Sequence, residues 1–186
     1  MRLSLSLTIL LLLFATACQK SATSTPDNPQ SATEYYNRGV ERQNKGDVNA
    51  ALADYTKAIE LDPRSFSAHN NRGNLRQDKG DLKGAILDYS AASVINPRHA
   101  TAFFNLGHAY QSRKDYPGAI REYGKAIEVK PDYAMAYANR GLCQLYEGSD
   151  AEAQKDFDRS IEINGEIKNS LDGYIAKVKR ERAGGR

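Results

Sequence analysis

Asn71-Arg72-Gly73 is the stretch that decides the fold of this chain, because it recurs at a fixed interval. The interval is 34 residues, and the other copies begin at Asn37, Asn105 and Asn139. The copy at 105 has leucine in place of arginine. A proline follows the same interval, at Pro63, Pro97 and Pro131. A repeat of this length predicts stacked structural units, and such stacks usually present a surface for binding a partner.

Four units follow from this interval: unit 1 is 32–65, unit 2 is 66–99, unit 3 is 100–133 and unit 4 is 134–167. Each unit has glycine at its position 8, alanine at position 20 and an aromatic ring at position 24. The pattern resembles the tetratricopeptide repeat family. That resemblance implies an all-α, right-handed superhelical solenoid of helix-turn-helix units. The sequence departs from the pattern at Gly165, where the other units have proline, and at Lys114, where they have glycine.

The small residues and the ring have a physical role in this fold. Glycine at position 8 and alanine at position 20 allow the two helices of a unit to approach closely, and the ring at position 24 fills the space beside them. Arginine at position 7, in Arg38, Arg72 and Arg140, lies towards the core side of its helix. We therefore expect these arginines to make structural pairs between helices.

The segment 168–186 is predicted to be a capping helix with a basic tail. Charged residues surround one apolar stripe at helical spacing. The stripe consists of Ile167, Leu171, Tyr174, Ile175 and Val178. Such a helix covers the apolar face that the last unit of a stack would otherwise expose. The basic end, including Arg186, is either a solvated helix end or a contact for phospholipid or an acidic partner.

The side of each first helix opposite the core carries two ladders of amide side chains. In tetratricopeptide folds this side lines the concave groove. The predicted groove residues are Asn37, Asn71, Asn105 and Asn139 at position 6, Gln43, Gln77 and Gln111 at position 12, and around them Tyr36, Asn70, Asn74, Phe104 and His108. An asparagine side chain has two donors and an acceptor, as a peptide group does, so a ladder of them can pair with an extended peptide backbone. The resemblance implies peptide binding here; the alternative is that these asparagines help adjacent units to pack.

One kind of ligand is disfavoured by the same positions. The clamp that holds acidic chaperone C-termini in this family uses basic side chains at positions 2, 5 and 6. In this chain neither position 2 nor position 5 has a basic side chain. Position 2 is Thr33, Ser67, Thr101 and Met135, and position 5 is Tyr36, Asn70, Phe104 and Ala138. We therefore do not expect a carboxylate clamp.

The first 17 residues read as a lipoprotein signal peptide. A positive start precedes an apolar run that is shorter than the roughly 20 residues a spanning helix needs. The run ends in Ala15-Thr16-Ala17-Cys18, which resembles a bacterial lipobox and implies lipidation of Cys18. An ordinary signal peptide with a chance cysteine is the alternative.

Residues 18–31 are predicted to be the lipidated N-terminus and a flexible tether, because they are rich in Ser, Thr, Pro and Asn and lack apolar periodicity. Gln19 is not the aspartate that favours inner-membrane retention in many Gram-negative lipoproteins. That resemblance implies a location in the bacterial cell envelope, at the outer membrane and facing the periplasm.

Several functional classes find no support in the sequence. A formal net charge of +3 gives no electrostatic reason to expect nucleic acid. Motifs for phosphate loops, metalloprotease helices and paired cysteines are missing, and His69, His99 and His108 occupy different repeat positions. Cys143 is expected to be a buried apolar residue. We therefore predict no catalytic site, no metal site and no cofactor.

The sequence favours a membrane-anchored, non-enzymatic adaptor that binds an extended segment of another protein. Relatives of this kind act in pilus secretin assembly, outer-membrane protein assembly and the control of cell-wall hydrolases, and the sequence does not choose among these. A self-associating structural protein, such as a homodimer without a peptide ligand, is the first alternative. An enzyme with unrecognised chemistry is the second.

Overall fold

Helices alone make up the regular structure of residues 28–184, which are the residues that the computed structural model describes. The helices are α1 (Ala32–Asn44), α2 (Val48–Leu61), α3 (Phe66–Asp78), α4 (Leu82–Ile95), α5 (Ala100–Ser112), α6 (Tyr116–Val129), α7 (Ala134–Tyr146), α8 (Asp150–Ile163) and α9 (Lys168–Gly184), with a single 3₁₀ turn at Gly165–Ile167. They pack in consecutive pairs, so the predicted all-α solenoid is confirmed. The predicted signal peptide and Cys18 lie outside the described residues.

A short turn joins the two helices of each unit. Three of the four turns place a glycine in the left-handed region, at Gly46, Gly80 and Gly148. Unit 3 has Lys114 there, with φ of 62°, which a side chain adopts only at a cost in free energy. Beyond the turn, the side chains of Asp81 and Asp115 each accept a hydrogen bond from a backbone N–H three residues later, at 2.9 Å. These aspartates therefore cap α4 and α6 as N-cap residues do.

The contact between the helices of a unit depends on a glycine facing a ring. Tyr55, Tyr89 and Tyr123 are essentially fully buried. A Cβ atom added at Gly73 would lie 2.8 Å from Cε1 of Tyr89. A side chain at this position would therefore push the two helices apart or displace the ring.

Arginine and aspartate brace three of the four units, which confirms the expected pairing between helices. Arg38 contacts Asp54, Arg72 contacts Asp88 and Arg140 contacts Asp156, each with a nitrogen–oxygen distance of 2.7 Å. Unit 3 has buried Leu106 in place of the arginine. Its buried Glu122 pairs instead with Arg121 and Lys125 on its own helix, at 3.1 and 2.9 Å. Unit 3 thus lacks the ion pair across its two helices.

The two ends of the stack are covered differently. In units 2 to 4, the residues at positions 3 and 10 face the preceding unit and are buried. Position 3 is Ala68, Ala102 and Ala136, and position 10 is Leu75, Ala109 and Cys143. Unit 1 has Glu34 and Glu41 at these positions, and Glu34 completes a capping box with Ser31. At the other end, Leu171 and Val178 of α9 are buried in a cluster with side chains of unit 4.

Hydrogen bonds hold the far end of α9 on unit 4. The hydroxyl of Tyr146 donates to Glu181 at 2.6 Å, and Arg182 contacts Asp150 at 2.5 Å. The C-terminal helix therefore caps the stack along its whole length. Within residues 28–184, none of the helices has the length and apolar character that crossing a membrane requires.

Candidate functional site

The concave surface has a groove between α5, α7 and α9, with a volume of about 660 Å³. Its lining from α5 and α7 is Phe104, His108, Gln111, Met135, Ala138, Asn139 and Leu142. Its lining from α9 and the segment before it is Asn164, Glu166, Ile167, Ser170, Leu171 and Tyr174. The volume lies in the range of pockets that hold ligands.

Apolar side chains dominate this groove, and solvent reaches two of the largest. Met135 is 47% exposed and Tyr174 is 58% exposed, whereas Leu142 and Leu171 are buried beneath them. Exposed apolar surface within a concavity is a frequent mark of a binding site. The groove can therefore bury apolar side chains of a ligand.

The groove is nearly uncharged. Glu166 is the one carboxylate among the described residues that line it, and lysine and arginine do not contribute to it. Desolvation lowers the pKa of His108, which favours the neutral form of the imidazole. The amide nitrogen of Gln77 lies 2.8 Å from Nδ1 of His108 and fixes the orientation of the ring. A strongly acidic ligand would find no cation in this groove.

The position-6 asparagines of units 2 and 3 direct their amide hydrogens to the preceding unit. The side-chain nitrogen of Asn71 lies 3.3 Å from the hydroxyl of Tyr36 and 3.5 Å from that of Tyr55. The equivalent nitrogen of Asn105 lies 3.1 Å and 3.2 Å from the carbonyl oxygens of Asn70 and Asn74. Both donors of each amide are therefore engaged between units, and only its carbonyl oxygen remains for a ligand.

The ends of this asparagine ladder differ from its middle. Asn139 lines the groove and lies beside the buried ring of Tyr123. Burial raises the pKa of Tyr123, and the neighbouring side chain of Asn139 opposes the rise only in part. Asn37 is exposed on unit 1, which has no preceding unit in the described stack.

The position-12 glutamines hold the buried rings. The hydroxyl of Tyr55 donates to the carbonyl oxygen of Gln43, and that of Tyr123 donates to Gln111, both at 2.6 Å. Unit 2 differs, because Tyr89 donates to Asn74 at 2.7 Å and Gln77 is left to contact His108. Burial raises the pKa of Tyr55 to about 12, so its hydroxyl stays protonated as a donor.

The structure brings together only part of the predicted site. Phe104, His108, Gln111 and Asn139 line the groove. The other predicted residues lie along units 1 to 3 and do not line it: Tyr36, Asn37, Gln43, Asn70, Asn71, Asn74, Gln77 and Asn105. Sequence reasoning missed the contribution of α9, above all Leu171 and Tyr174. Their helical spacing with Ile167 was the available signal, but the direction in which α9 leaves unit 4 is set by tertiary contacts.

Reactive chemistry is weakly represented in the described part of the chain. Residues 28–184 contain no cluster of three or more His, Cys, Asp or Glu side chains that could hold a metal ion. Cys143 is fully buried, and burial raises the pKa of its thiol to about 12. A thiol that remains protonated is a poor nucleophile.

Comparison with known families gives a match over more than half of the chain. The family model described as TPR repeat matches residues 44–80, 73–113 and 109–148. A curated relative, an uncharacterized protein of Methanocaldococcus jannaschii, is 54% identical over 37 residues. That stretch is 20% of this chain and 43% of the relative, so less than half of the relative is matched.

Solved structures of similar fold cover most of the stack. The crystal structure of MamA is similar with a TM-score of 0.71 and 27% identity, over 76% of this chain and 83% of MamA. PilF of Pseudomonas aeruginosa is similar with a TM-score of 0.68 and 25% identity, over 82% of this chain and 69% of PilF. The first TPR domain of Spaghetti (RPAP3), solved with the HSP90 peptide SRMEEVD, has a TM-score of 0.61 and 20% identity, over 65% of this chain and 96% of that domain. At 20% identity the last likeness concerns the fold alone.

Proposed function

Because this chain belongs to the tetratricopeptide repeat family, we propose that it is a non-enzymatic adaptor that holds an extended segment of a partner protein in its concave groove. A lipid on Cys18 attaches the adaptor to a bacterial membrane, and the outer membrane facing the periplasm is the proposed location. The partner is a component of a cell-envelope assembly, such as a pilus secretin, an outer-membrane assembly complex or a regulated cell-wall hydrolase.

The observation that carries this proposal is the apolar groove between α5, α7 and α9. Met135 and Tyr174 expose apolar surface there that a ligand would remove from water. Burial of such surface contributes about 25 cal/mol per Å². A segment that places two or three apolar side chains in the groove therefore gains enough to offset part of its ordering entropy.

The polar groups around the groove favour a peptide over a compact small molecule. Carbonyl oxygens of Asn71 and Asn105 remain available after their amide hydrogens have bonded to the preceding unit. They can accept backbone N–H groups of an extended segment that continues from the groove along units 2 and 3. The ladder thus has both roles, packing between units through nitrogen and ligand contact through oxygen.

Site-specific photocrosslinking tests the groove. A photoreactive amino acid at Tyr174 should capture the partner in the native host, whereas the same group at Lys57, on the outer face of α2, should not. A peptide from the captured segment is then titrated against the purified chain. We expect Met135→Glu to weaken binding at least tenfold, because it places a carboxylate on apolar ligand surface.

Thr33→Glu is the matched control for that substitution. Thr33 occupies the same repeat position as Met135, is exposed, and lies on unit 1 outside the groove. Equal affinity of wild type and Met135→Glu would remove the groove from the proposal. Loss of affinity in both variants would indicate a general electrostatic effect instead.

Membrane attachment is tested at Cys18. Cys18→Ala should move the protein from the membrane fraction to the soluble fraction, because several acyl chains hold a domain on a bilayer and their absence leaves no comparable anchor. Fractionation and metabolic labelling with a fatty acid measure this directly. Membrane attachment of Cys18→Ala without label would contradict the lipid anchor.

Self-association is the alternative function, in which a second copy rather than a partner protein covers the groove. Measurement of the mass of the chain in solution separates the two. A monomer at micromolar concentration favours the adaptor, and a dimer that Met135→Glu dissociates favours self-association.

A further inference from the structure

The outer face of α4 carries an apolar stripe that nothing in the described chain covers. Leu87, Ala91 and Val94 are spaced by four and three residues, so they share one face of the helix. Leu87 is 71% exposed and Val94 is 80% exposed, which are the highest values among the large apolar side chains of residues 28–184. We call these three residues the α4 stripe.

Except for one alanine in unit 1, the same positions are charged in the other units. Units 1, 3 and 4 have Ala53, Lys57 and Glu60, then Arg121, Lys125 and Glu128, then Lys155, Arg159 and Glu162. Lys57 pairs with Glu60 at 3.0 Å, and Arg159 pairs with Glu162 at 2.6 Å. The repeat itself therefore does not require apolar residues on this face, and unit 2 departs from it at three positions that are all charged in units 3 and 4.

Positive charge flanks the α4 stripe along the chain. Lys83 lies one turn before Leu87 and is exposed, and exposed Arg98 follows the end of α4. Within residues 28–184, neither side chain forms an ion pair. A surface that covers the stripe would therefore meet two uncompensated cations.

These features disfavour a second copy of the chain as the covering surface. If two copies of α4 packed antiparallel through the stripe, Lys83 of one copy would lie near Arg98 of the other. If they packed parallel, Lys83 would face Lys83 and Arg98 would face Arg98, so like charges would repel in both arrangements. A stable protein interface also needs about 800 Å² on each partner, far more than three side chains of this size provide.

We propose that the α4 stripe is a contact with an anionic lipid surface. Leu87 and Val94 enter the interface between headgroups and acyl chains, while Lys83 and Arg98 meet lipid phosphates. The contact is small, but it rests on the membrane attachment proposed above. An anchor at Cys18 is ten residues from Asn28, which spans at most about 35 Å. So short a connection keeps the membrane surface at high effective concentration near units 1 and 2.

This contact would orient the molecule. The α4 stripe is on the outer face of the stack, whereas the groove is on the concave side between α5, α7 and α9. A solenoid that rests on the membrane through α4 therefore presents its groove to the aqueous compartment. The stripe thus acts as a second point of attachment that sets the direction in which a partner is received.

An environment-sensitive fluorescent amino acid at position 94 tests the contact in the full chain. Cys18 is coupled to a maleimide lipid in vesicles of phosphatidylcholine, with or without phosphatidylglycerol. Cys143 does not couple, because it is buried and its thiol stays protonated. We expect the emission from position 94 to shift to shorter wavelength on phosphatidylglycerol vesicles. The same amino acid at Glu128, which has the same repeat position in unit 3, should show no shift.

Charge reversal and salt provide the decisive comparison. Lys83→Glu with Arg98→Glu should abolish the shift, as should high salt or vesicles of phosphatidylcholine alone, while the circular dichroism melt stays as in wild type. Equal emission from positions 94 and 128, or a shift that survives charge reversal, would overturn the proposal. A shift produced by protein concentration without vesicles would identify a second copy as the occupant instead. A shift seen only on native membranes and lost after protease treatment would identify a protein, and it too would overturn the lipid contact.

Because the lipid is supplied chemically, this experiment does not depend on lipidation in the cell. Absence of natural lipidation would therefore contradict the proposed anchor while leaving the measured shift unaffected. The groove variants above leave the α4 stripe unchanged, so peptide binding can likewise fail independently.

Discussion

A buried carboxylate in the second helix of every unit must be neutralised, and the units do this with different residues. Burial by itself raises the pKa of Asp88, but the nearby ring of His69, the hydrogen bonds from Arg72 and the charges of Arg72 and Arg76 outweigh it and lower that pKa. Asp88 has two arginines, at 2.7 Å each. Asp156 has Arg140 alone, because unit 4 has Gln144 where unit 2 has Arg76.

Arg140→Leu should therefore be more destabilising than Arg72→Leu. Removing the single partner of a buried carboxylate costs about 3–5 kcal/mol, whereas Asp88 keeps Arg76 when Arg72 is lost. Chemical denaturation of the two variants measures the difference. Equal loss of stability in the two variants would show that the second arginine of Asp88 contributes nothing. The double variant Arg140→Leu with Asp156→Leu removes both charges, so it should recover part of the stability that Arg140→Leu loses.

The pH dependence of stability follows from the same group. A lowered pKa in the folded state means that Asp88 stabilises the protein above its ordinary pKa near 3.8, and that this stability is lost as the pH falls through the lowered value. We expect the melting temperature to fall steeply below about pH 4 and the fall to be smaller in Asp88→Asn. Calorimetry across this pH range checks the difference, and parallel curves for the two proteins would contradict it.

Glycine at position 8 gives a second test at this scale. Gly73→Ala should lower the free energy of unfolding by about 1–3 kcal/mol, because the added methyl group overlaps the ring of Tyr89. Gly124→Ala in α6 is the control, since its Cβ would meet only Arg140 at 3.7 Å. That substitution should leave stability unchanged or raise it by about 0.5–1 kcal/mol. A shift of the denaturation midpoint in the same direction for both variants would contradict the ring contact.

At the scale of elements, the helix pairs were predictable from the sequence and the course of α9 was not. The interval of 34 residues fixes where α1 to α8 begin, because each turn and each contact between glycine and ring recurs with it. The hydrogen-bond partners of Asn71 and Asn105 could not be predicted from the position of each residue on its own helix. They depend on the offset between adjacent units. The direction of α9 could not be predicted either, because Gly165 replaces the proline of the other units and a 3₁₀ turn redirects the chain.

Leu171→Ala tests α9 as a structural element. The side chain is 3% exposed in the cluster that joins α9 to unit 4, and its truncation should cost about 2–5 kcal/mol. Hydrogen exchange should rise first in α9 and α7, because these helices share the contact. Asp172→Ala, at an exposed position of the same helix, should change neither quantity. Unchanged exchange in Leu171→Ala would mean that α9 is held by its distal polar contacts with Tyr146 and Asp150 alone.

At the scale of the whole molecule, the groove and the outer surface have different electrostatic character. The chain has a formal net charge of +3, but its groove has one carboxylate and no lysine or arginine among the lining residues. Recognition in the groove is therefore expected to depend on apolar burial and amide hydrogen bonds. Long-range charge steering would contribute little to it.

The HSP90 peptide SRMEEVD offers a direct test of this character. We expect it not to bind this chain, because the groove has no cation to receive its carboxylates. Binding of the apolar segment captured from the native partner should change little between low and high salt. Fluorescence anisotropy with both peptides makes the comparison. Tight, salt-sensitive binding of SRMEEVD would contradict the predicted absence of a carboxylate clamp.

The glutamates of unit 1 also determine how this molecule could be lengthened. Positions 3 and 10 are small or apolar in units 2, 3 and 4, so a duplicate of 66–99 inserted after residue 99 would meet neighbours of the kind it already has. A duplicate of unit 1 in the interior would place the carboxylates of Glu34 and Glu41 against the apolar face of the preceding unit, where burial of a charge is costly. The array can therefore be lengthened by copies of its interior units but not by copies of its first unit. Gene duplication or protein engineering could in this way extend the stack while keeping both of its end units.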